Sequence, residues 1–134
     1  MVEPYIMFNG QASKAIDFYE QVFGGTNKRV MHWGDAPAAP EYPVDAMQKD
    51  WILHGEINLC GTNFSIADCD QSFSPSHFVS LIVRLGTPEA VQHAYDKLSA
   101  DGGQVLMEIA PQFYAKMYAW VQDKFGVSWQ LICD

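Results

Sequence analysis

The fold is decided by a stretch near the C-terminus, Asp123-Lys124-Phe125-Gly126-Val127-Ser128-Trp129-Gln130-Leu131-Ile132. An apolar, strand-favouring run at 118–121 precedes it, and beyond the glycine apolar and polar residues alternate. Two strands joined by a glycine-containing turn form a β-hairpin. The alternation places Trp129 on one face of the second strand and Gln130 on the other. For a single glutamine, an exposed sheet face is the simpler interpretation.

The composition predicts one compact domain. The chain has 134 residues, of which 49% are hydrophobic and 13% aromatic, enough to bury a core. It carries 8 basic and 16 acidic residues, a net charge of -8. Such a charge repels phosphate backbones and anionic membrane surfaces, so we expect neither nucleic acid nor membrane as a partner.

The location of the protein is predicted from its lack of targeting and membrane-spanning patterns and from its cysteines. The N-terminal residues lack a basic region followed by an apolar run, and no apolar stretch is long enough to span a bilayer. The three cysteines, Cys60, Cys69 and Cys133, fit neither a CxxC nor a zinc-finger spacing. We therefore expect a cytoplasmic protein with free thiols rather than a disulfide framework.

The first half of the chain predicts the order strand, helix, strand, strand, strand. Apolar residues recur every three or four positions from Ala12 to Phe23, which indicates an amphipathic helix, and Gly24-Gly25 ends it. The strand at 5–8 is short and wholly apolar, which is typical of a strand buried on both faces. The predicted strands of this half are 5–8, 28–33, 51–59 and 64–67, with a turn at 61–63.

The segment 34–50 differs from the rest of this half. It contains Pro37, Pro40 and Pro43 and shows little periodicity, so we predict a long loop. Such a loop is either a surface excursion or a lid over a site, and its composition does not separate the two. A second irregular segment, the polar stretch 68–76, divides the chain near its middle.

The second half repeats the same order of elements without the long loop. Thr87-Pro88-Glu89 is a strong helix start, with a capping hydroxyl, a proline in the first turn and an acid after it. Gly102-Gly103 is predicted to end this helix as Gly24-Gly25 ends the first. The predicted strands of this half are 78–85, 105–109, 114–121 and 127–133.

This repeat predicts an α+β fold of tandem βαβββ modules. Each module has one helix to cover one sheet face, which leaves the other face open. Two such sheets can curve together into a mixed sheet around a shared cleft. We therefore expect a single domain over 1–134, with modules at about 1–68 and 77–134 joined by the polar linker.

The order of the elements and three short motifs resemble the vicinal oxygen chelate superfamily, and within it the PhnB-like branch. The resemblance covers essentially the whole chain. The motifs are Asn9-Gly10 before Ala15-Ile16-Asp17-Phe18-Tyr19, then Val22-Phe23-Gly24-Gly25, and finally 123–129.

The resemblance implies a cleft that holds a divalent metal, with ligands on the first and last strands of each module. These positions fall near Pro4 or Tyr5, at Glu56, near Ser80 and at Gln130. Glu56 suits a metal and Gln130 is a weak ligand, whereas proline has no ligating side chain and serine is a poor one. We therefore favour a metal-independent cleft and assign no metal ligand, although a divalent metal stays an alternative.

The same resemblance suggests which residues line the cleft. His54, Glu56 and Asn58 lie on one face of their strand. The simpler interpretation of these three polar side chains is a solvated sheet face. Glu56 is the candidate catalytic residue, as a ligand or general base. Tyr118 and Trp120 are candidate walls. The candidate ligand-binding residues are His54, Arg84, Tyr118, Trp120 and Gln130.

Three functions follow from the resemblance. The first is a small-molecule-binding protein without a complete metal site, and the second is a metal-dependent glyoxalase- or dioxygenase-type enzyme. The third is a 3-demethylubiquinone methyltransferase, a label attached to PhnB-like proteins. No glycine-rich strand-to-helix turn supports that label, because Gly24-Gly25 follows a helix. The resemblance also implies a homodimer, and metal content discriminates between the first two functions.

Overall fold

The computed structural model describes residues 1–37 and 48–134. The chain divides into two compact units, a first unit of Met1–Phe73 and a second unit of Ser74–Asp134. Within these described residues each unit carries one α-helix and one four-stranded mixed sheet, so the fold is α+β as predicted. Most of the predicted loop 34–50, whose two interpretations were a surface excursion and a lid, lies outside the described residues.

The first unit has the order β1, α1, β2, β3 and β4. In its sheet the strands lie in the order β1-β4-β3-β2, with β1 parallel to β4 and the other neighbours antiparallel. A short 3-10 helix, Trp33–Asp35, follows β2. The elements are β1 Tyr5–Phe8, α1 Ala12–Phe23, β2 Thr26–His32, β3 Ile52–Leu59 and β4 Thr62–Asp68.

Helix α1 has the bounds that the sequence predicts. Its apolar stripe is buried, including Ile16 and Tyr19. Gly24 ends the helix in the left-handed conformation with φ +68°, where its N–H donates to the Glu20 carbonyl. The sheet comes close to this helix at Gly55, where an added Cβ would lie 2.9 Å from the Ile66 carbonyl oxygen and 3.5 Å from Ile16.

The second unit repeats this plan. Its strands lie in the order β5-β8-β7-β6, with β5 parallel to β8 and the other neighbours antiparallel. The Thr87 hydroxyl caps α2 by accepting from the Ala90 N–H at 3.1 Å. The elements are β5 Leu81–Arg84, α2 Pro88–Ser99, β6 Gln104–Gln112, β7 Ala115–Gln122 and β8 Ser128–Cys133.

The C-terminal hairpin is confirmed, and Asp123 organises its turn. This aspartate is fully buried. One carboxylate oxygen accepts from the N–H groups of Phe125 and Val127, and the other accepts from Trp129 Nε1 at 2.9 Å. Trp129 is itself fully buried, whereas Gln130 on the opposite face of β8 is half-buried. The motif thus fixes the turn and the core residue next to it.

Several predicted boundaries are wrong. The strand expected at 78–85 begins only at Leu81, because β5 pairs with β8 from that residue onward, and Phe78 is 96% exposed. The turn between β3 and β4 is Cys60-Gly61 rather than 61–63. Strand β1 is not buried on both faces, since Tyr5 is 55% exposed.

The end of α2 also differs from the prediction. The helix ends at Ser99 and is followed by Ala100 in an extended conformation, so the two glycines do not cap it directly. Gly102, with φ +104°, lies in the turn that leads to β6. In the described part of the chain, no helix has the length and apolar character needed to cross a membrane.

Candidate functional site

A polar row crosses the sheet of the first unit on the face opposite α1. The register aligns Tyr5 of β1 with Ser65 of β4, Ser65 with Glu56 of β3, and Glu56 with Arg29 of β2. His54 lies two residues from Glu56 on β3 and therefore on the same face. We call these five residues, Tyr5, Arg29, His54, Glu56 and Ser65, the polar row.

Glu56 lies at the centre of the row between two donors. Arg29 donates to Oε2 at 2.6 Å, and His54 Nε2 lies 3.2 Å from Oε1. The hydrogen bond with His54, and next that with Arg29, lowers the pKa of the Glu56 carboxyl. The side chain is 37% exposed, so solvent screens these interactions and a ligand can reach it.

His54 extends the row towards β1. Its ring centroid lies 6.5 Å from that of Tyr5, with the planes inclined at 48°. The row therefore presents a phenol, an imidazole and an ionised carboxylate side by side. Such a set of donors and acceptors is suited to binding a small polar molecule, while the low pKa makes Glu56 a weak proton acceptor.

The open face of the second sheet carries aromatic and amide groups. The register places Ile82 beside Gln130 and Gln130 beside Trp120. The hydroxyl of Tyr118 donates to Gln130 Oε1 at 2.7 Å. Burial, and then repulsion from the ionised form of Tyr114, raises the pKa of Tyr118, so its phenol stays protonated and remains a donor.

Trp120 is fixed by a chain of hydroxyl groups. Its Nε1 donates to Ser128 Oγ at 2.9 Å, and Ser128 Oγ lies 2.7 Å from Ser80 Oγ. The ring of His77 meets Trp120 edge-on, with the centroids 6.0 Å apart. The indole is half-buried and cannot rotate without breaking these contacts. The second sheet thus brings Tyr118, Trp120 and Gln130 together.

Arg84 lies apart from these three residues. It pairs with Ile132 at the end of β5, two residues beyond the position that pairs with Gln130. Its guanidinium contacts both carboxylate oxygens of Asp134 at 3.3 Å. The role of Arg84 in ligand binding stays a prediction, and so does a cleft shared by Glu56 and Gln130.

The donor set does not fit a divalent metal. Glu56 lies on β3 rather than on β4, the last strand of its unit, so the position carried over by resemblance is wrong there. Both its oxygens face Arg29 and His54, and the Gln130 oxygen accepts from Tyr118. No group of three metal-binding His, Cys, Asp or Glu side chains occurs within residues 1–37 and 48–134.

Sequence reasoning missed Arg29 as a member of the row. Strand β2 has an irregular register between Thr26 and Arg29, and Asn27 between them has φ +55°. Because a bulge of this kind moves the following side chains to the other face, alternation counted from the strand start fails. A basic residue on the strand paired with Glu56 is the signal that would have found it.

The fold and the open sheet faces define the class of protein. Two units of the order βαβββ are the arrangement of vicinal oxygen chelate proteins, and a glyoxalase/bleomycin resistance protein from Albidiferax ferrireducens shares the fold with a TM-score of 0.62. That protein is 13% identical in sequence, and the match covers 97% of this chain and 96% of the other. Residues 1–132 match the family model described as 3-demethylubiquinone-9 3-methyltransferase, and the chain belongs to that family, the PhnB-like branch of the superfamily.

Three other proteins are more similar to this chain in sequence. The protein YjdN of Escherichia coli is 26% identical over 97% of this chain and 92% of its own length. The structure of protein PA1353 from Pseudomonas aeruginosa is 27% identical, covers 100% of this chain and 97% of its own, and superposes with a TM-score of 0.85. A PhnB protein from Bacillus cereus is 25% identical over 99% and 98% of the two chains, with a TM-score of 0.77.

Proposed function

We propose that this PhnB-like protein binds a small polar molecule through hydrogen bonds and aromatic contacts, without a metal. The observation that carries the proposal is the ionised Glu56 carboxylate between His54 and Arg29 on an open sheet face. An accessible carboxylate beside an imidazole and a phenol accepts from hydroxyl or amino groups of a ligand and donates to its oxygens.

The open face of the second sheet is proposed as an aromatic binding surface. Trp120 and Tyr118 are large aromatic side chains held by hydrogen bonds, so binding a planar or aliphatic group against them orders few further side chains. The side-chain oxygen of Gln130 already accepts from Tyr118. Gln130 would therefore contact a ligand through its amide N–H₂ group, as a donor. Arg84, at the end of β5, is proposed to bind an anionic group of a ligand.

A metal-dependent glyoxalase- or dioxygenase-type enzyme is the second candidate. The accessible, ionised Glu56 favours it, since a carboxylate that is deprotonated at neutral pH is a ready ligand. The competing salt bridge with Arg29 opposes it. The methyltransferase in the description of the family model has less support, because Gly24 and Gly25 end a helix instead of opening one after a strand.

We also propose a cytoplasmic homodimer. All three cysteines are free thiols, which suits a reducing compartment. Large apolar side chains are exposed on the second unit, and surfaces of this kind are commonly covered by a partner.

Elemental analysis of the freshly purified protein tests the metal-free site. We expect less than stoichiometric zinc, nickel, manganese or iron, and no rise in Tm when any of these ions is added. One ion per chain that is lost in Glu56→Ala but retained in Glu20→Ala would overturn the metal-free proposal. Glu20 is a matched control, because it is also a carboxylate in an exposed ion pair, with Lys28 at 3.1 Å.

A thermal-shift screen of small hydroxylated and amino compounds then tests ligand binding. Compounds that raise Tm in the wild type should lose at least half of that rise in Glu56→Gln or Gln130→Leu. The control Glu20→Gln should keep it. Ligands that stabilise all four proteins equally would place binding elsewhere and contradict the proposed residues.

A further inference from the structure

A small cavity lies in the first unit, away from the polar row. Its volume is about 190 Å³, and among the described residues five form its walls, Trp33, Gln48, Trp51, Cys69 and Asp70. None of the five belongs to the polar row. The cavity is smaller than the roughly 300–1,000 Å³ typical of pockets for drug-sized ligands. It holds the volume of about six waters, which suits a compound of only a few non-hydrogen atoms.

Both indoles of the cavity are held in place by the backbone. Trp33 Nε1 donates to the Asp68 carbonyl at 3.3 Å, and the Trp33 backbone N–H donates to the Trp51 carbonyl at 2.9 Å. The Trp51 ring lies against Gly10 so closely that an added Cβ would be 2.9 Å from Cζ2. Gly10 also has φ +90°, so both its conformation and its lack of a side chain permit this contact. The aromatic walls are therefore preformed.

The polar groups of the lining favour a cation. The single N–H of the Trp33 ring is already used, so that this ring offers a ligand only its π system. Asp70 is exposed and contributes a carboxylate, and of the described residues that line the cavity none is a lysine, arginine or histidine. Two indoles with one carboxylate attract a positive charge, because the face of an indole is the electron-rich part of its quadrupole.

We propose that this cavity binds a small organic cation of the quaternary or primary ammonium class. Its positive charge contacts the faces of Trp33 and Trp51 and pairs with Asp70. The net charge of -8 raises the local concentration of such cations around the protein. A metal ion fits less well, since the lining residues that the structure describes offer a single carboxylate and no histidine. The proposal does not depend on the function assigned to the polar row.

Choline and its neutral isostere 3,3-dimethylbutan-1-ol are the probes for this site. The two compounds have the same shape and differ in charge, so their comparison separates cation recognition from simple filling of an apolar cavity. Titration is followed by the NMR signals of the four indole N–H groups. We expect choline to shift the signals of Trp33 and Trp51 and to leave those of Trp120 and Trp129 unchanged. The alcohol should bind at least about fivefold more weakly.

Substitutions test the role of each wall. Asp70→Asn should weaken choline binding by roughly fivefold, because it removes an exposed charge from the lining without changing its size. Trp33→Phe keeps a ring and should weaken binding less than Trp33→Leu does. The control Asp96→Asn, an exposed aspartate on α2, should bind choline as the wild type does.

The outcomes that overturn the proposal are distinct. Equal affinity for choline and the neutral alcohol would make the cavity a non-selective apolar site. Unchanged binding in Asp70→Asn, shifts confined to Trp120, or no shift at 50 mM choline would each reject the cation site. Glu56→Gln should bind choline normally, so failure of the polar row and failure of this cavity are separable.

Discussion

Asp68 joins three segments of the first unit through one buried carboxylate. Its Oδ1 accepts from the N–H groups of Gly10 and Ala12 at 2.8 and 3.0 Å, and its Oδ2 accepts from Ile52 at 2.9 Å. It thereby supplies the cap that Gln11 at the start of α1 does not provide. Asp68 is only 2% exposed, so water does not easily take the place of its carboxylate as the acceptor for these N–H groups. These hydrogen bonds could not be predicted from the sequence, because Asp68 lies more than fifty residues from Gly10 and Ala12 along the chain.

Removing this carboxylate should be costly. Asp68→Ala leaves the buried N–H groups of Ala12 and Ile52 and the part-buried N–H of Gly10 without their acceptor. We expect a loss of roughly 3 kcal/mol in the free energy of unfolding. Urea denaturation measures it. The control Asp70→Ala, exposed and two residues further on, should change the stability by less than about 0.5 kcal/mol. Similar losses in both variants would contradict the role of the buried hydrogen bonds.

The charge state of Glu56 depends on its two neighbours. Because its pKa is lowered in the folded protein, its interactions with His54 and Arg29 are complete above the ordinary glutamate value of about pH 4.3. They weaken as the pH falls through the lowered value, so the contribution of the Glu56 carboxylate to stability decreases with acidification. We expect ¹³C NMR titration to give a higher Glu56 pKa in both His54→Ala and Arg29→Ala. Arg84→Ala, which breaks a different ion pair, should leave it unchanged.

The β3–β4 hairpin has a two-residue turn with an unfavourable first residue. Cys60 has φ +51° and Gly61 has φ +89°, the signature of a type I′ turn, which favours Asn-Gly. Cys60→Asn should therefore raise the free energy of unfolding by about 0.5–1 kcal/mol and increase Tm by a few degrees. Cys60→Ser, which removes the thiol without favouring the left-handed conformation, is the control. Equal stabilisation by both would assign the effect to the thiol instead.

The end of α1 offers a test of backbone strain alone. Gly24 has φ +68°, and an added Cβ would meet nothing within 4 Å, so Gly24→Ala costs only the left-handed conformation, about 1 kcal/mol. Gly86 is equally open but has no positive φ. Gly86→Ala should be neutral or slightly stabilising, because it restricts the unfolded chain. A comparison of the two Tm values checks this, and equal effects would contradict it.

These elements also show how far the sequence predicts the fold. The bounds of α1 were predicted correctly, because its apolar period and Gly24 are both local signals. The start of β5 was not, since Phe78 and Val79 favour a strand locally but β8 provides pairing only from Leu81. Arg29 was missed for the same reason, because its position opposite Glu56 depends on pairing between distant segments. Grouping His54 with Glu56 needed only alternation along one strand.

At the scale of the whole molecule, exposed apolar side chains predict self-association. Phe113 is 100% exposed and Phe78 96%, and Val79 and Ile82 on the same unit are also at least half exposed. Large apolar side chains that are exposed in one chain are commonly buried when two chains associate. We expect sedimentation equilibrium at micromolar concentration to give twice the mass of one chain.

The double variant Phe78→Ser/Phe113→Ser tests which surface is responsible. Both side chains are already in water in the single chain, so their replacement should not lower the stability of the monomer, whereas each removes buried apolar area from a dimer. We expect the dimer dissociation constant to rise at least about tenfold, since each buried aromatic residue contributes on the order of 1 kcal/mol or more to an interface. Gln92→Ser on α2, a polar exposed position, should leave it unchanged. A wild type that stays monomeric at 100 µM would refute the dimer, and a double variant that dimerises normally would exclude these two residues from its interface.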